Sequence, residues 1–338
     1  MLFRSTISCA TSGSKTVRIL VTGGAGYIGA TAAHILLERG FEVTVLDNLS
    51  TGKKNLVPSD ARYVEGSILD KNAIQLGLGE CEAVMHFAAK SLVAESVTKP
   101  EIYWSVNVTG TATLLSAMRA MKVNKLVFSS TAATYGEPST SPITEESDCK
   151  PTNPYGASKL AADNMITSES VAYGLAATSL RYFNVAGSYK TKSGWVTEDH
   201  DPETHLIPNL LRTTEKEPMK IFGTDWQTKD GTCIRDYIHV VDLIDAHILA
   251  LEKLVAGEHQ IINLGSGTGY SVREVIAAAK AVIGKELPVV ESDRRPGDPA
   301  TLVADISKAE KLLGWKPTRD IKTMVSDTWE SFNAPASK

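Results

Sequence analysis

From Val17 onward, short runs of β-branched and aliphatic residues alternate with longer stretches whose apolar positions recur at helical spacing. "VRILVTG" reads as a buried strand, and "YIGATAAHILLERG" as an amphipathic helix closed by Gly40. Further strands follow at "FEVTVLD", "ARYVEG", "AVMHFAA", "KLVFSS" and "ATSLRYFN", with helices predicted around Val106 to Met121 and from near Tyr155. Repeated strand–helix–strand units predict an α/β fold, a doubly wound parallel sheet of the Rossmann type with ligands at the carboxyl ends of its strands.

After Asn184 the rhythm breaks. The loop-rich stretch "SYKTKSGWVTEDHDPETH" and the shorter elements beyond it predict a second, smaller α/β domain. The expected division is 17–186 for a dinucleotide-binding domain and 187–338 for a substrate-binding domain. Residues from about 235 to 264, with "VVDLIDAHILALEKLV" and "QIINLGS", are candidates to return to the first sheet. A length of 338 residues suits two domains.

Composition then narrows the partners. A net charge of −4 without a block of lysine or arginine argues against nucleic acid and membrane surfaces and leaves a small molecule. No apolar run approaches the ~20 residues needed to span a bilayer, so a soluble chain is expected. Cys9, Cys81, Cys149 and Cys233 are widely spaced, which fits a reducing cytoplasm. The seven histidines show no metal spacing, His200 and His205 lying in a polar loop, and no metal is expected. The first sixteen residues, "MLFRSTISCATSGSKT", read as a start-site or expression-derived extension rather than a transit peptide, outside the fold.

Chemistry enters with "TGGAGYIG", which directly follows a strand and opens a helix. Gly23, Gly26 and Gly29 form one glycine pattern, and Gly24 completes a second. Glycines there let the backbone approach a pyrophosphate, whose charge meets the free N–H groups of the helix N-terminus. Asp47, ending the next strand, is placed to accept from the adenosine ribose hydroxyls and to repel a 2′-phosphate, favouring NAD over NADP. The plainer reading of Asp47 and Asn48 is a turn cap.

Tyr155 and Lys159, four apart in "NPYGASK", share one helix face. A nearby cation favours the phenolate, so Lys159 is expected to lower the phenol's ordinary value near 10. Alone, the pair is a common helix surface. Upstream, however, "FSSTAATYG" brings Ser129, Ser130 and Thr131 to a strand's carboxyl end, where one of them would position a reacting hydroxyl.

Taken together, these motifs resemble the extended branch of the short-chain dehydrogenase/reductase superfamily, and within it the UDP-glucose 4-epimerase family, also called UDP-galactose 4-epimerases. The likeness runs from about Val17 to Trp329. Its more specific blocks are "IFGTDWQTKDGTCIRDYIHVVDL", "NLGSGTGYSV" and "RRPGDPATLVAD". The resemblance implies NAD as cofactor and a homodimer. It also implies interconversion of UDP-galactose and UDP-glucose through transient oxidation at C4.

By position, it implies Thr131 as the hydroxyl that binds the sugar 4-OH, Tyr155 as acid/base, and Lys159 as its tuner and a ligand of the nicotinamide ribose. Cofactor contacts are implied at Tyr27, Ile28, Asn48, Ser67, Ile68, Phe87, Ala88, Ala89, Asn107, Ser129 and Tyr182. Asn184 would hold the sugar nucleotide near its diphosphate, with Leu206 and Tyr237 in the same site. Phe222 would lie beside uracil, Arg235 and Arg295 on the diphosphate, Asp298 on the uridine ribose, and Leu302 near the sugar C2 substituent.

Some positions depart from the family pattern. Ser67 stands where relatives often carry an aspartate facing adenine, Ser91 replaces a lysine, and Ala94 a glycine. A 4,6-dehydratase would need Asp-Glu after the catalytic threonine, whereas Ala132 and Ala133 follow Thr131. UDP-pentoses or UDP-N-acetylhexosamines as substrates, and a non-catalytic NAD-sensing protein, are the remaining alternatives.

Overall fold

The computed structural model describes residues 16–295 and 298–334. Cys9 and nearly all of the amino-terminal extension lie outside the described residues. Six of the expected strands join one parallel sheet: β1 (Arg18–Thr22), β2 (Glu42–Asp47), β3 (Arg62–Glu65), β4 (Ala83–His86), β5 (Lys125–Thr131) and β6 (Ala176–Tyr182). A seventh strand, His259–Leu264, pairs with β6 and gives the order His259–Leu264, β6, β5, β4, β1, β2, β3. These strands read as continuous apolar runs because both sheet faces are covered.

One face packs on the helices Tyr27–Glu38 and Val240–Glu252, through Ala33, Leu36, Leu243 and Ile244 among others. The other packs on Lys71–Leu78, Gly110–Ala120 and Pro154–Tyr173, through Ile74, Leu114, Met118 and Ile166. The Lys71–Leu78 helix was not evident from the pattern. Nor were the short helices Val93–Thr98 and Pro100–Tyr103; the latter runs into a π-helical turn, Trp104–Thr109, before Gly110–Ala120. The stretch around Val106 to Met121 is therefore two geometries rather than one helix.

A separate core forms around Ile207, Leu210, Ile221, Val275, Ile276, Met324 and Val325. It draws on the helices Leu206–Arg212, Val272–Ile283 and Ile321–Asn333 and on the parallel pair Met219–Phe222 and Val289–Ser292. Of the stretch 235–264, the helix Val240–Glu252 and the strand His259–Leu264 pack on the sheet side, whereas Arg235 pairs with Tyr270 and Leu302 and Tyr237 joins the second core. A second late segment also packs there: Ala309, Leu313 and Trp315 join the core on the Tyr27–Glu38 face. Trp315 is held there by its indole N–H donating to the Asp242 carbonyl at 2.9 Å. The Asp242 carboxylate in turn accepts from Thr318 and Arg319.

The sheet reverses its winding between β1 and β4, whose ends Thr22 and His86 sit side by side. A crevice at the carboxyl end of such a switch point is where ligands bind in this architecture. The turn after β1 is compressed against the turn after β4. Gly23 has φ +72°, and a Cβ there would stand 2.7 Å from the Ala88 nitrogen. At Gly29 a Cβ would lie 2.1 Å from the Gly23 carbonyl oxygen, so the helix can start this close to the strand only with glycine.

At Gly26, by contrast, a Cβ meets only the Gly23 oxygen, at 3.4 Å. Gly29→Ala should therefore destabilise the fold by about 3 kcal/mol, in the range of core overpacking, whereas Gly26→Ala should stay within about 1 kcal/mol of wild type. Denaturant unfolding of the two variants checks this, and equal effects would contradict the packing account.

Candidate functional site

A single cleft of ≈ 1410 Å³ runs from the glycine turn, across the carboxyl edge of the sheet, to the second core. That exceeds the roughly 300–1,000 Å³ of an ordinary small-molecule pocket and leaves room for two ligands side by side.

At one end the helix Tyr27–Glu38 points its N-terminus into the cleft. Its cap, Gly26, offers no side-chain acceptor, and the first turn carries no acidic residue. The open N–H groups thus suit an anion such as a pyrophosphate. Gly24 serves packing, since a Cβ there would press on Val45 at 2.8 Å. Asp47 is buried. Its carboxylate already accepts from the Ala25 N–H at 3.0 Å and the Leu49 N–H at 2.8 Å, fixing the glycine turn. Each oxygen keeps a lone pair, so the turn-capping role and a ribose-binding role are compatible. Ser67 lines the cleft, and its hydroxyl oxygen accepts from the Leu69 N–H at 3.1 Å.

The helix Pro154–Tyr173 explains the spelling of "NPYGASK". Asn153 caps it by accepting from the Gly156 N–H at 2.9 Å, and Pro154 occupies the first helical position. Gly156 lets the helix approach the turn after β5, because a Cβ would fall 2.3 Å from the Ala133 carbonyl oxygen. That approach sets Tyr155 beside Thr131, whose hydroxyl is close enough to favour the ionised phenol. Burial is the larger influence, however, and raises Tyr155 above its ordinary value.

Lys159 is 3 % exposed; its ammonium donates to the Ser129 carbonyl at 2.8 Å and lies 4.6 Å from the centre of the Phe128 ring. Burial pulls it down to about 8, while Asp163 acts in the opposite sense. The expectation that Lys159 lowers the Tyr155 value is corrected here: desolvation of both groups dominates, and Lys159 is not among the groups acting on the phenol.

The three hydroxyls ending β5 separate. Ser129 Oγ pairs with His247 Nε2 at 2.9 Å, and Ser130 Oγ donates to Asp163 at 3.1 Å, both within the interior. Of the three, only Thr131 lines the cleft. Ser129, expected to touch cofactor, instead offers its carbonyl to Lys159. Asn107 likewise does not line the cleft. Its amide accepts from the Lys90 N–H at 2.8 Å and donates to the Lys90 carbonyl and to Ser158 Oγ, each at 2.9 Å. Its buried side chain thereby ties the loop after β4 to the helix that carries Tyr155.

The other expected contacts all line the cleft, from Tyr27, Ile28 and Asn48 through Ile68, Phe87, Ala88, Ala89 and Tyr182 to Asn184, Leu206, Phe222, Tyr237 and Leu302. At the far end Arg235 and Leu302 are register partners on adjacent strands. Arg235 Nη2 is buried, lacks a hydrogen bond and stands 3.3 Å from an Asp298 oxygen, so Asp298 faces an arginine in this arrangement. The Arg295 guanidinium stacks 3.9 Å from the centre of the Phe222 ring. Two forked cations, one with a buried guanidinium nitrogen that lacks a hydrogen bond, suit a diphosphate.

The sequence reading missed one part of the wall: Glu198, Glu203, His200 and His205 line the cleft together. Burial lifts Glu198 to about 7, against the opposing influence of His205. The four come from an irregular loop whose spacing matches neither helix nor strand, so no periodicity announces them.

Among the described residues no helix is long and apolar enough to cross a membrane. The model of the NAD dependent epimerase/dehydratase family matches residues 19–265. A UDP-glucose 4-epimerase of Corynebacterium glutamicum is 55% identical over 94% of this chain and 96% of its own length. One from Streptomyces lividans is 51% identical over 93% and 95%. The crystal structure of UDP-glucose 4-epimerase from Brucella ovis in complex with NAD superposes with a TM-score of 0.89 at 41% identity, covering 94% of this chain and 98% of that one. With its glycine turn, its Thr131–Tyr155–Lys159 edge and its arginine-lined far wall in one cleft, the chain belongs to the NAD-dependent epimerase/dehydratase family, on its UDP-glucose 4-epimerase branch.

Proposed function

We propose that this cleft interconverts UDP-galactose and UDP-glucose by inverting C4, with Thr131, Tyr155 and Lys159 as the reacting edge. The observation that carries the reading is that this edge opens into the same cleft as the uncapped helix N-terminus and Arg235. The family is NAD dependent, and the chain's own residues fit that cofactor. The Gly26 turn and the N–H groups after it suit its pyrophosphate, Asp47 its adenosine ribose, and Lys159 its second ribose. When bound, NAD supplies the two-electron oxidation at C4 and its reversal.

Tyr155 takes the proton of the sugar 4-OH and later returns it, while Thr131 orients that hydroxyl. The 4-keto sugar must turn over between the two steps, so its position has to be held from elsewhere. Arg235 and Arg295 are suited to the diphosphate, Phe222 to the uracil face, and Asn184, Leu206, Tyr237 and Leu302 enclose the sugar end. Ala132 and Ala133, which line the cleft beside Thr131, offer only methyl groups. This favours epimerisation over elimination, which needs an added acid and base.

The division of labour proposed from sequence puts cofactor on 17–186 and sugar nucleotide on 187–338, with Thr131, Tyr155 and Asn184 of the first part also facing the sugar nucleotide in this reading. We read the working unit as a cytoplasmic homodimer. Val171 and Tyr173, exposed apolar side chains at the end of the helix Pro154–Tyr173, support self-association, and the described cysteines are free.

Incubating purified protein with UDP-galactose should yield UDP-glucose, and absence of product would remove the reading. Tyr155→Phe should keep its cofactor content yet lose turnover by at least about a hundredfold, the lower range for a positioned acid/base. Gly26→Val should fold but lose NAD by at least about tenfold in affinity, measured by calorimetry, because its side chain extends into the space facing the helix N-terminus. Normal cofactor content would place the pyrophosphate elsewhere.

Lys159 gives a pH test. Its folded value of about 8 lies below the unfolded 10.5, so the unfolded chain binds the extra proton between those limits. Stability lost to the buried charge is fully lost below about pH 8 and is recovered as pH rises toward 10.5. Lys159→Met should therefore be more stable at pH 7 by on the order of 3 kcal/mol, lack this alkaline rise, and be inactive. Unfolding curves between pH 7 and about 10.5 check the sign.

A further inference from the structure

The loop after the strand Gly194–Val196 brings Glu198, His200 and His205 to one point on the cleft wall. One ligand atom from each lies within 4.8 Å of the other two. Glu198 Oε1 is 3.1 Å from His205 Nδ1 and 3.6 Å from His200 Nδ1. In a tetrahedral zinc site with bonds of 2.0–2.2 Å, neighbouring ligand atoms stand about 3.3 Å apart. The two measured edges bracket that distance.

A second observation points the same way. His200 Nδ1 is buried and has no hydrogen-bond partner, an arrangement that leaves a donor or acceptor unmet. The loop is also braced. Glu203 accepts from the Thr204 and His205 N–H groups at 2.9 Å each, and Asp199 pairs with Arg212 at 3.1 Å and with Lys53 across the cleft. These bonds fix the backbone of the loop that carries the three side chains.

We propose that Glu198, His200 and His205 form a binding site for a zinc-type divalent cation, with its remaining coordination position open to the cleft. Two imidazoles and one carboxylate match the chemistry of transition metals rather than of calcium or magnesium, which prefer all-oxygen sets. Three protein ligands leave one tetrahedral position for an exchangeable donor such as water. In the arrangement described, His205 Nδ1 faces Glu203 Oε1 at 2.8 Å and carries a proton toward it. Metal binding at Nδ1 requires the tautomer with the proton on Nε2. The cation would sit near Tyr27, whose ionisation the Glu198 carboxylate opposes, and so beside the glycine turn.

The test uses the full chain, stripped with a chelator and titrated with zinc, with metal content read by mass spectrometry. The wild type should take up one zinc per chain and prefer zinc to magnesium. His200→Ala, at a partly exposed position, should weaken zinc by at least tenfold at an unchanged unfolding temperature of the metal-free protein. Glu198→Gln, which keeps the side chain's shape, should do the same. A Co2+-loaded wild type should show the visible absorption of a four-coordinate ion, altered by azide at the open position. Failure of the wild type to bind zinc, or equal affinity in His200→Ala, would overturn the site and leave a hydrogen-bonded cluster. An azide-insensitive spectrum would overturn the open position. None of these readouts depends on epimerase activity.

Discussion

The structure is organised around a buried ammonium. Lys159 is held between the helix Pro154–Tyr173 and β5 with a carbonyl as its hydrogen-bond acceptor and an aromatic face beside it. The nearby carboxylate, Asp163, is committed elsewhere: it pairs with Arg181 at 2.9 Å and accepts from Ser130. Counting Lys159 and Arg181 against Asp163, the interior beneath the cleft floor carries one uncompensated positive charge when Lys159 is protonated. Such a charge costs stability and is rarely tolerated without a use. Here it lies one helical turn from the phenol proposed to release and regain a proton. Burial raises the phenol and lowers the amine, so two groups whose ordinary values nearly coincide are driven apart, and it is the amine that is brought toward neutral pH.

Holding that charge in place constrains the backbone around it. The helix can reach β5 only because Gly156 lacks a side chain, and the loop after β4 is drawn in by Asn107. The same economy of space governs the other end of the cleft, where Gly23 and Gly29 let the first turn pack against its neighbour. Gly26 differs from both. Its missing Cβ faces the cleft rather than protein, which separates a glycine kept for a ligand from glycines kept for the fold.

Much of this was legible because sequence periodicity and local chemistry agree. "VRILVTGGAGYIG" encodes a strand, a glycine turn and a helix within thirteen consecutive residues, and "NPYGASK" encodes a cap, a helix start and the proposed acid/base pair. The resemblance placed Arg235, Arg295 and Leu302 in the cleft although nothing local marks them. What escaped depends on contacts between residues distant in sequence. Ser129 and Thr131 are both hydroxyls at the end of one strand, and only the positions of His247 and the cleft distinguish them. Asn107 sits within a π-helical turn whose geometry no simple repeat encodes. Glu198, His200 and His205 converge through an irregular loop.

The far wall shows how such distant residues can still be placed accurately. Asp236, fully buried between Arg235 and Tyr237, accepts from the Ser266 N–H at 2.5 Å and its hydroxyl at 2.6 Å, from the Gly267 N–H at 3.1 Å and from the Ala304 N–H at 3.0 Å. One carboxylate therefore joins the loop after the sheet strand His259–Leu264 to the segment carrying Leu302. Gly265 is required beside it, since a Cβ would stand 2.4 Å from a carboxylate oxygen. Because that strand is hydrogen-bonded to β6, and β6 to β5, the position of Arg235 is referred through Asp236 back to the strand that ends in Thr131. Two cores built from different parts of the chain thus share one frame. The proposed proton-transfer edge and the proposed diphosphate anchor can keep a fixed separation while the sugar between them remains free to turn.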